Sequence, residues 1–157
     1  MNIRDVTPED DTAACEVMRR SIAELCVADH KNDPAILGRW LNNKTPEIFR
    51  SWIRPDNSLL VAIENDDVLA VGCVTDRGEI TLNYVSPDAR FCGVSTTLLA
   101  GLEKRAIERG NEVCELESTE TARRFYLARG YSEEGPAGGK FGTTSGYQMS
   151  KRIKPVT

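Results

Sequence analysis

Residues 85–131 decide how this chain folds, and they read VSPDARFCGVSTTLLAGLEKRAIERGNEVCELESTETARRFYLARGY. Val85 ends a run with the alternation typical of a strand, and Pro87 stops that strand. The basic turn from Arg90 to Ser95 contains Gly93 and leads into an apolar pattern with helical spacing. A glycine turn that joins a strand to a helix is the setting in which free backbone amides bind phosphate groups.

The same stretch continues with a strand over 112–117 and a second helix that runs to Arg129. Tyr126 lies on an apolar stripe of this helix, so a core tyrosine with its hydroxyl at the edge is the simplest interpretation. The turn taken alone is likewise an ordinary helix start with one glycine. Each motif by itself therefore carries little information about function.

The remaining patterns predict one domain over residues 1–157. We expect further strands at 2–6, 58–63, 68–75, 79–86, from 131 and at 147–153, and further helices at 8–25, 34–41, 46–53 and 94–109. Alternation in the 79–86 strand puts Glu79, Thr81, Asn83 and Val85 on one face and Ile80, Leu82 and Tyr84 on the other. A meander followed by a β-α-β unit predicts an α/β (α+β) fold: a mixed, mostly antiparallel sheet of six to seven strands, flanked by helices on both faces.

Composition excludes several classes of function. The net charge of −4 and the pI near 5.1 argue against a nucleic-acid partner. We also expect no membrane span, because the longest apolar runs are too short, and no metal site, because the chain has a single histidine. Five cysteines without a C-x-x-C pair, and no signal-peptide pattern, predict reduced thiols and a cytoplasmic protein.

Together, the two motifs resemble the GCN5-related N-acetyltransferase (GNAT) superfamily. Its pattern is Q/R-x-x-G-x-G/A at a helix start, followed after a strand by A-x-x-F-Y-x-x-x-G-F/Y. The matching residues here are Arg90, Gly93 and Ser95, then Ala122, Phe125, Tyr126, Gly130 and Tyr131. The resemblance covers nearly the whole chain and is specific from Val85 onward. It departs at Ser95, where the family has glycine or alanine, and at Thr119, near which the family often has asparagine.

The resemblance implies an acetyl-CoA-dependent N-acetyltransferase that acetylates a primary amine of a small molecule or peptide by direct attack in a ternary complex. The cofactor-binding residues it implies are Tyr84, Val85, Arg90, Phe91, Cys92, Gly93, Val94, Ser95, Thr96 and Thr119. Amides of 91–96 would hold the pyrophosphate, and the backbone at 84–85 would pair with the pantetheine arm. Tyr126 would protonate the departing thiolate. A weak CoA-binding sensor or an interaction module with the same fold is the alternative.

The base and the acceptor site are less defined. Glu79 is the first candidate base, acting through water, and a solvated carboxylate is the equal alternative. Asn83, expected on the same face, could position that water or the acceptor. His30 and Trp40 lie where the family builds its acceptor pocket, although a surface-loop histidine and a helix-pinning tryptophan are simpler interpretations. The acceptor itself cannot be read from the sequence, and a homodimer is common for this fold but is not indicated by any segment.

Overall fold

A computed structural model describes residues 1–135 and 146–154. Its seven strands form one sheet in the order β1-β2-β3-β4-β5-β7-β6. The strands are β1 Asn2–Asp5, β2 Asn57–Glu64, β3 Asp67–Thr75, β4 Glu79–Val85, β5 Val113–Ser118, β6 Ser132–Glu133 and β7 Tyr147–Arg152. The helices are α1 Asp11–Leu25, α2 Val27–His30, α3 Pro34–Leu41, α4 Pro46–Ser51, α5 Val94–Glu108 and α6 Arg123–Ala128, with 3₁₀ turns at Pro8–Asp10 and Pro87–Ala89.

The two faces of the sheet are buried by different helices. On one face, α5 and α6 pack over a core that includes Leu98, Leu102, Leu116 and Tyr126. On the other face, α1 and α4 cover a second core around Met18 and Phe49, which are fully buried. The predicted mixed sheet with helices on both faces is therefore confirmed.

Helix α5 approaches the sheet closely at Gly72. A Cβ built there would lie 2.8 Å from Leu102 Cδ1, so a larger residue would require the Leu102 side chain to move. Gly101 on the helix lies similarly near β1, since its Cβ would be 3.3 Å from Ile3 Cγ2. These two contacts fix the position of α5, whose N-terminus faces the site described below.

The sheet opens between β4 and β5. These strands run parallel, and their pairing in the described residues consists of Glu79 with Glu115 and Ile80 with Leu116. Beyond that point β5 continues to pair with β7 through Ser118. The β5-facing edge of β4 from Thr81 to Val85 is thereby left as one wall of a wedge.

A β-bulge corrects the predicted alternation of β4. The β3–β4 register shifts so that Cys73 faces Leu82 and Val74 faces Ile80, which leaves Thr81 as an extra residue. Ile80 consequently packs in the α5-side core, whereas Leu82 packs against the α1-side core. The prediction that they share a face was wrong, because one inserted residue inverts the alternation.

Helices α3 and α4 begin at the predicted residues 34 and 46, and each follows a capping side chain. Asp33 Oδ1 accepts a hydrogen bond from Ala35 N at 2.9 Å, and Thr45 Oγ1 accepts one from Ile48 N at 3.3 Å. Between α1 and α3 the chain forms the short helix α2, where no helix was predicted, and α6 begins at Arg123. The glycine-rich stretch of the sequence over 135–146, where we expect a loop, lies mostly outside the described residues.

Candidate active site

Two cavities meet at the wedge. The larger, about 510 Å³, extends between the wedge, the N-terminus of α5 and α6, and we call it the wedge cleft. The smaller, about 400 Å³, is lined by Trp40, Trp52 and Tyr84, and we call it the aromatic cavity. Both are lined by Thr81, Leu82, Tyr84, Glu117 and Thr119. A molecule in one could therefore meet a molecule in the other at these residues.

One end of the wedge cleft is the turn before α5. Gly93 has φ of 76° and begins α5 as its N-cap, and nothing lies within 4 Å of the position that a Cβ would take. The backbone here is open to a ligand, and the first amides of a helix have no partner within the helix. Predicted cofactor residues that line this cleft are Tyr84, Val85, Arg90, Phe91, Gly93, Val94, Ser95, Thr96 and Thr119.

Phe91 and Cys92 differ in their surroundings. Phe91 adopts a left-handed φ of 66°, is 89% exposed and lies under the Arg90 guanidinium, 4.5 Å from its ring centroid. Cys92 is exposed, its Sγ lies 3.6 Å from Arg90 O, and it does not line the cleft. The predicted contribution of Cys92 is thus limited to its backbone.

Arg129 is a cleft residue that the sequence analysis missed. Its guanidinium stacks on Phe125 at 4.3 Å and donates to Thr96 Oγ1 from Nε at 3.1 Å and from Nη2 at 2.9 Å. Arg129 and Arg90 both line the wedge cleft, and the contact with Thr96 places Arg129 near the N-terminus of α5. Only its position on the apolar stripe of α6, facing the same way as Phe125, pointed toward the site.

Tyr126 reaches the wedge from α6. It is 5% exposed, and burial raises the pKa of its hydroxyl to about 12, against the lowering effect of a hydrogen bond from Asn83. Asn83 Nδ2 donates that bond to the Tyr126 oxygen at 2.9 Å. The phenol is therefore protonated at neutral pH, and Asn83 orients it rather than lining the aromatic cavity.

Tyr84 and Trp40 join α3 to β4. Trp40 Nε1 donates to Tyr84 Oη at 3.2 Å, and Trp40 lines the aromatic cavity while Tyr84 lines both cavities. Burial raises the pKa of Tyr84, so it also stays neutral. Trp40 thus lies in the predicted acceptor region, and its hydrogen bond to Tyr84 also connects α3 to β4.

The two acidic candidates near the wedge are positioned differently. Glu79 is exposed at the paired end of β4 and lines neither cavity. Glu117 lies one residue beyond Leu116, where the strands diverge, and it lines both cavities. Gln148 Nε2 donates to Glu117 Oε2 at 3.2 Å. The sequence analysis missed Glu117 because strand alternation alone gives no information about where two strands separate.

His30 is a structural residue. It is fully buried in α2 and lines neither cavity. Its Nε2 lies 2.9 Å from Ile22 O, and its Nδ1 accepts from Asn32 N at 3.0 Å, so both ring nitrogens are engaged. The suggested role of His30 in the acceptor site is not supported by this geometry, because the side chain faces the core.

Within residues 1–135 and 146–154, no group of His, Cys, Asp or Glu side chains has the arrangement of a metal site. Over the same residues, no helix combines the length and apolar character needed to cross a membrane. The four buried thiols, Cys15, Cys26, Cys73 and Cys114, are free, and burial raises the pKa of each.

Comparison with known families identifies the class of protein. The sequence matches the model of the acetyltransferase (GNAT) domain over residues 19–152. This chain therefore belongs to the GNAT family and is an acetyltransferase. A search of curated proteins found no match.

Solved structures agree in fold. A GCN5-related N-acetyltransferase from Rhodopseudomonas palustris is 22% identical with a TM-score of 0.85, and the match covers 96% of this chain and 94% of that one. The PaiA N-acetyltransferase of Thermoplasma acidophilum, solved with coenzyme A, is 22% identical with a TM-score of 0.81 over 96% and 98% of the two chains. The ribosomal-protein-S18-alanine N-acetyltransferase of Escherichia coli is 19% identical with a TM-score of 0.72 over 99% and 96%.

Proposed function

We propose that this protein transfers acetyl from acetyl-CoA to a primary amine by direct attack in a ternary complex. One observation carries the proposal: a single cleft is lined both by the turn at Gly93 and by Tyr126, and it shares residues at the wedge with a second cavity. A cofactor and an acceptor can thus be held at once, with their reacting groups at the wedge. No covalent enzyme intermediate is needed.

The residues of the wedge cleft fit coenzyme A. Gly93 and the first amides of α5 suit the pyrophosphate, and Arg90 and Arg129 add positive charge at the same end. The β5-facing edge of β4 from Thr81 to Val85 suits an extended pantetheine arm, which carries amide groups and can pair like an added strand. Acetyl-CoA would supply an activated thioester at the wedge.

Tyr126 is the proposed general acid. With its pKa raised to about 12, Tyr126 carries its proton at neutral pH, so its O–H can donate to the sulfur on which negative charge develops as the thiolate departs. The Tyr126 oxygen already accepts from Asn83, so its own O–H is available to donate into the cleft. Asn83 is therefore proposed as a positioning residue.

Glu117 is the proposed general base in place of Glu79. Of the two, Glu117 is the one that borders both cavities, and a base must lie within reach of the amine directly or through one water. The hydrogen bond from Gln148 to one carboxylate oxygen helps to hold the Glu117 side chain at the border of the two cavities.

Calorimetric titration with acetyl-CoA, followed by a mass-spectrometric screen of amines, tests this function. Saturating acetyl-CoA at about 100 times Kd should stabilise the protein by about 2.7 kcal/mol, a rise in Tm of roughly 5–10 °C. At least one primary amine should gain an acetyl group. Absence of binding at millimolar acetyl-CoA would refute the proposal, and binding without any transfer would favour a CoA sensor.

A further inference from the structure

Among the described residues, the lining of the aromatic cavity includes two cations and one acid. The cations are Lys44 and Arg54, and the acid is Glu117. Lys44 is 4% exposed, and its Nζ donates to Asn43 Oδ1 at 2.7 Å. The rest of the lining is aromatic, amide, thiol, hydroxyl or aliphatic.

Neither cation is needed for the phosphates of the cofactor. The turn that begins α5 lines the wedge cleft and not the aromatic cavity, and Arg90 and Arg129 already serve that end. Lys44 and Arg54 line the aromatic cavity and not the wedge cleft. Both cations therefore lie beside whatever occupies the aromatic cavity.

Arg54 can contact a ligand without giving up its own ion pair. Its Nε lies 3.3 Å from Asp56 Oδ1, and both side chains are exposed. A guanidinium has five N–H donors arranged along its edges, so one edge can face Asp56 while another binds a carboxylate with two hydrogen bonds. Lys44 would add a compact second charge.

We infer that the acceptor is a small amine that also carries a carboxylate, as a free amino acid does. The inference rests on the proposed function, since it names the substrate class of the same site. The carboxylate meets Arg54 and Lys44, the amine points to Glu117 at the wedge, and Trp40, Trp52 and Tyr84 contact the apolar part. The carboxylate of the acceptor thus faces two cations, and its amine faces the carboxylate of Glu117.

Size and charge argue against two other kinds of acceptor. A polycation would place several charges against Lys44 and Arg54, with Glu117 as the one acid among the described lining residues, and like charges in a partly buried site repel. A cavity of about 400 Å³ lies near the lower end of the range for small-molecule sites, which favours a free molecule over a long peptide segment.

Matched ligand pairs test the inference. Free L-amino acids, their α-amides and short peptides with the same N-terminal residue are titrated into protein saturated with CoA, and acetyl transfer to each is measured in parallel. An ionic hydrogen bond contributes about 1.5–3 kcal/mol, so at least one amino acid should bind roughly tenfold to 100-fold more tightly than its amide. Preference for peptides over free amino acids would overturn the inference.

Three variants locate the effect. Arg54→Gln and Lys44→Met should each reduce the preference for the carboxylate over the amide about tenfold. Arg77→Gln, which removes an exposed cation in the β3–β4 turn outside both cavities, should keep the full preference. Equal loss in Arg77→Gln and Arg54→Gln, or equal binding of acids and amides, would overturn the inference.

The two proposals fail in different ways. Acetylation of amides or polyamines but not of amino acids would leave the acetyltransferase function intact and refute the carboxylate site. Carboxylate-selective binding without acetyl transfer would support the site and refute the transferase function.

Discussion

At the scale of single residues, Tyr126 and Asn83 form one unit. Asn83 is on β4 and Tyr126 is on α6, and the hydrogen bond of 2.9 Å between them crosses the wedge. The bond uses a lone pair of the phenol oxygen and leaves its proton to be donated. Because burial opposes ionisation of the phenol, that proton stays on Tyr126 across the whole neutral range.

Replacing Tyr126 with phenylalanine should separate catalysis from binding. General acid catalysis contributes about 100-fold or more, so kcat of Tyr126→Phe should fall by about that factor while the Kd for acetyl-CoA stays unchanged. Stopped-flow kinetics and calorimetry measure the two quantities. Tyr147→Phe is the control, since the Tyr147 hydroxyl bonds to Glu120 and lines neither cavity. A Tyr126→Phe enzyme with normal kcat would remove Tyr126 as the acid.

The two glutamates near the wedge provide a matched pair. Glu117→Gln should lower kcat about 100-fold, because a neutral amide cannot accept a proton from the amine. Glu79→Gln should leave kcat unchanged, since Glu79 is exposed and outside both cavities. Steady-state rates with a single amine decide the matter. The reverse ranking would restore Glu79, and two normal rates would point to bulk water as the base.

At the scale of elements, local sequence patterns predict where helices and strands begin, but not where two paired strands separate. The starts of α3 and α4 were predicted correctly, because they depend on prolines and on the caps Asp33 and Thr45, which are neighbours in sequence. The bulge at Thr81 and the short helix α2 were missed, since both depend on contacts with distant segments. Asp29 shows the cause: its carboxylate accepts from Glu120 N at 2.7 Å, a partner 91 residues away.

Two glycines at opposite ends of α5 provide a test of the proposed phosphate-binding turn. Gly93 and Gly110 have φ of 76° and 90°, and a Cβ on either would have no atom within 4 Å. Alanine at either position should cost about 1 kcal/mol of stability, because both positions are left-handed. Only Gly93→Ala should weaken acetyl-CoA binding, by tenfold or more, since only Gly93 lines the cleft. Thermal unfolding and calorimetry on both variants check this, and equal affinities would contradict the phosphate-turn assignment.

At the scale of the whole molecule, the site exists because the sheet is mixed. A parallel β4–β5 pair that separates after Ile80, while β5 stays paired with β7, creates a wedge that no single element contains. The motifs at Gly93 and Tyr126 could be read from the sequence because each sits within one helix and its turn. Arg129 and Glu117 could not be read from the sequence in this way. Arg129 contacts Thr96, which is 33 residues away in sequence, and Glu117 lies where two strands diverge.

The buried thiols and phenol make the stability of the whole molecule sensitive to alkaline pH. Burial raises the pKa of Cys26 to about 12 and that of Cys114 to about 11, from an ordinary 9.0. Burial likewise raises the pKa of the Tyr126 hydroxyl to about 12 from 10.0. Unfolding exposes these groups, so above about pH 9 the unfolded state loses protons that the folded state keeps, and the free energy of unfolding falls. Below that pH they add no pH dependence.

The expected slope is about 1.4 kcal/mol per pH unit for each thiol between roughly pH 9 and 11. Urea unfolding under reducing conditions over that range measures the slope. The double variant Cys26→Ala, Cys114→Ala should reduce this slope by about twice the value expected for one thiol. Cys92→Ala should leave the slope unchanged, because Cys92 is already exposed in the folded protein. Equal slopes in the double variant and in Cys92→Ala would mean that these thiols already meet solvent in the folded protein.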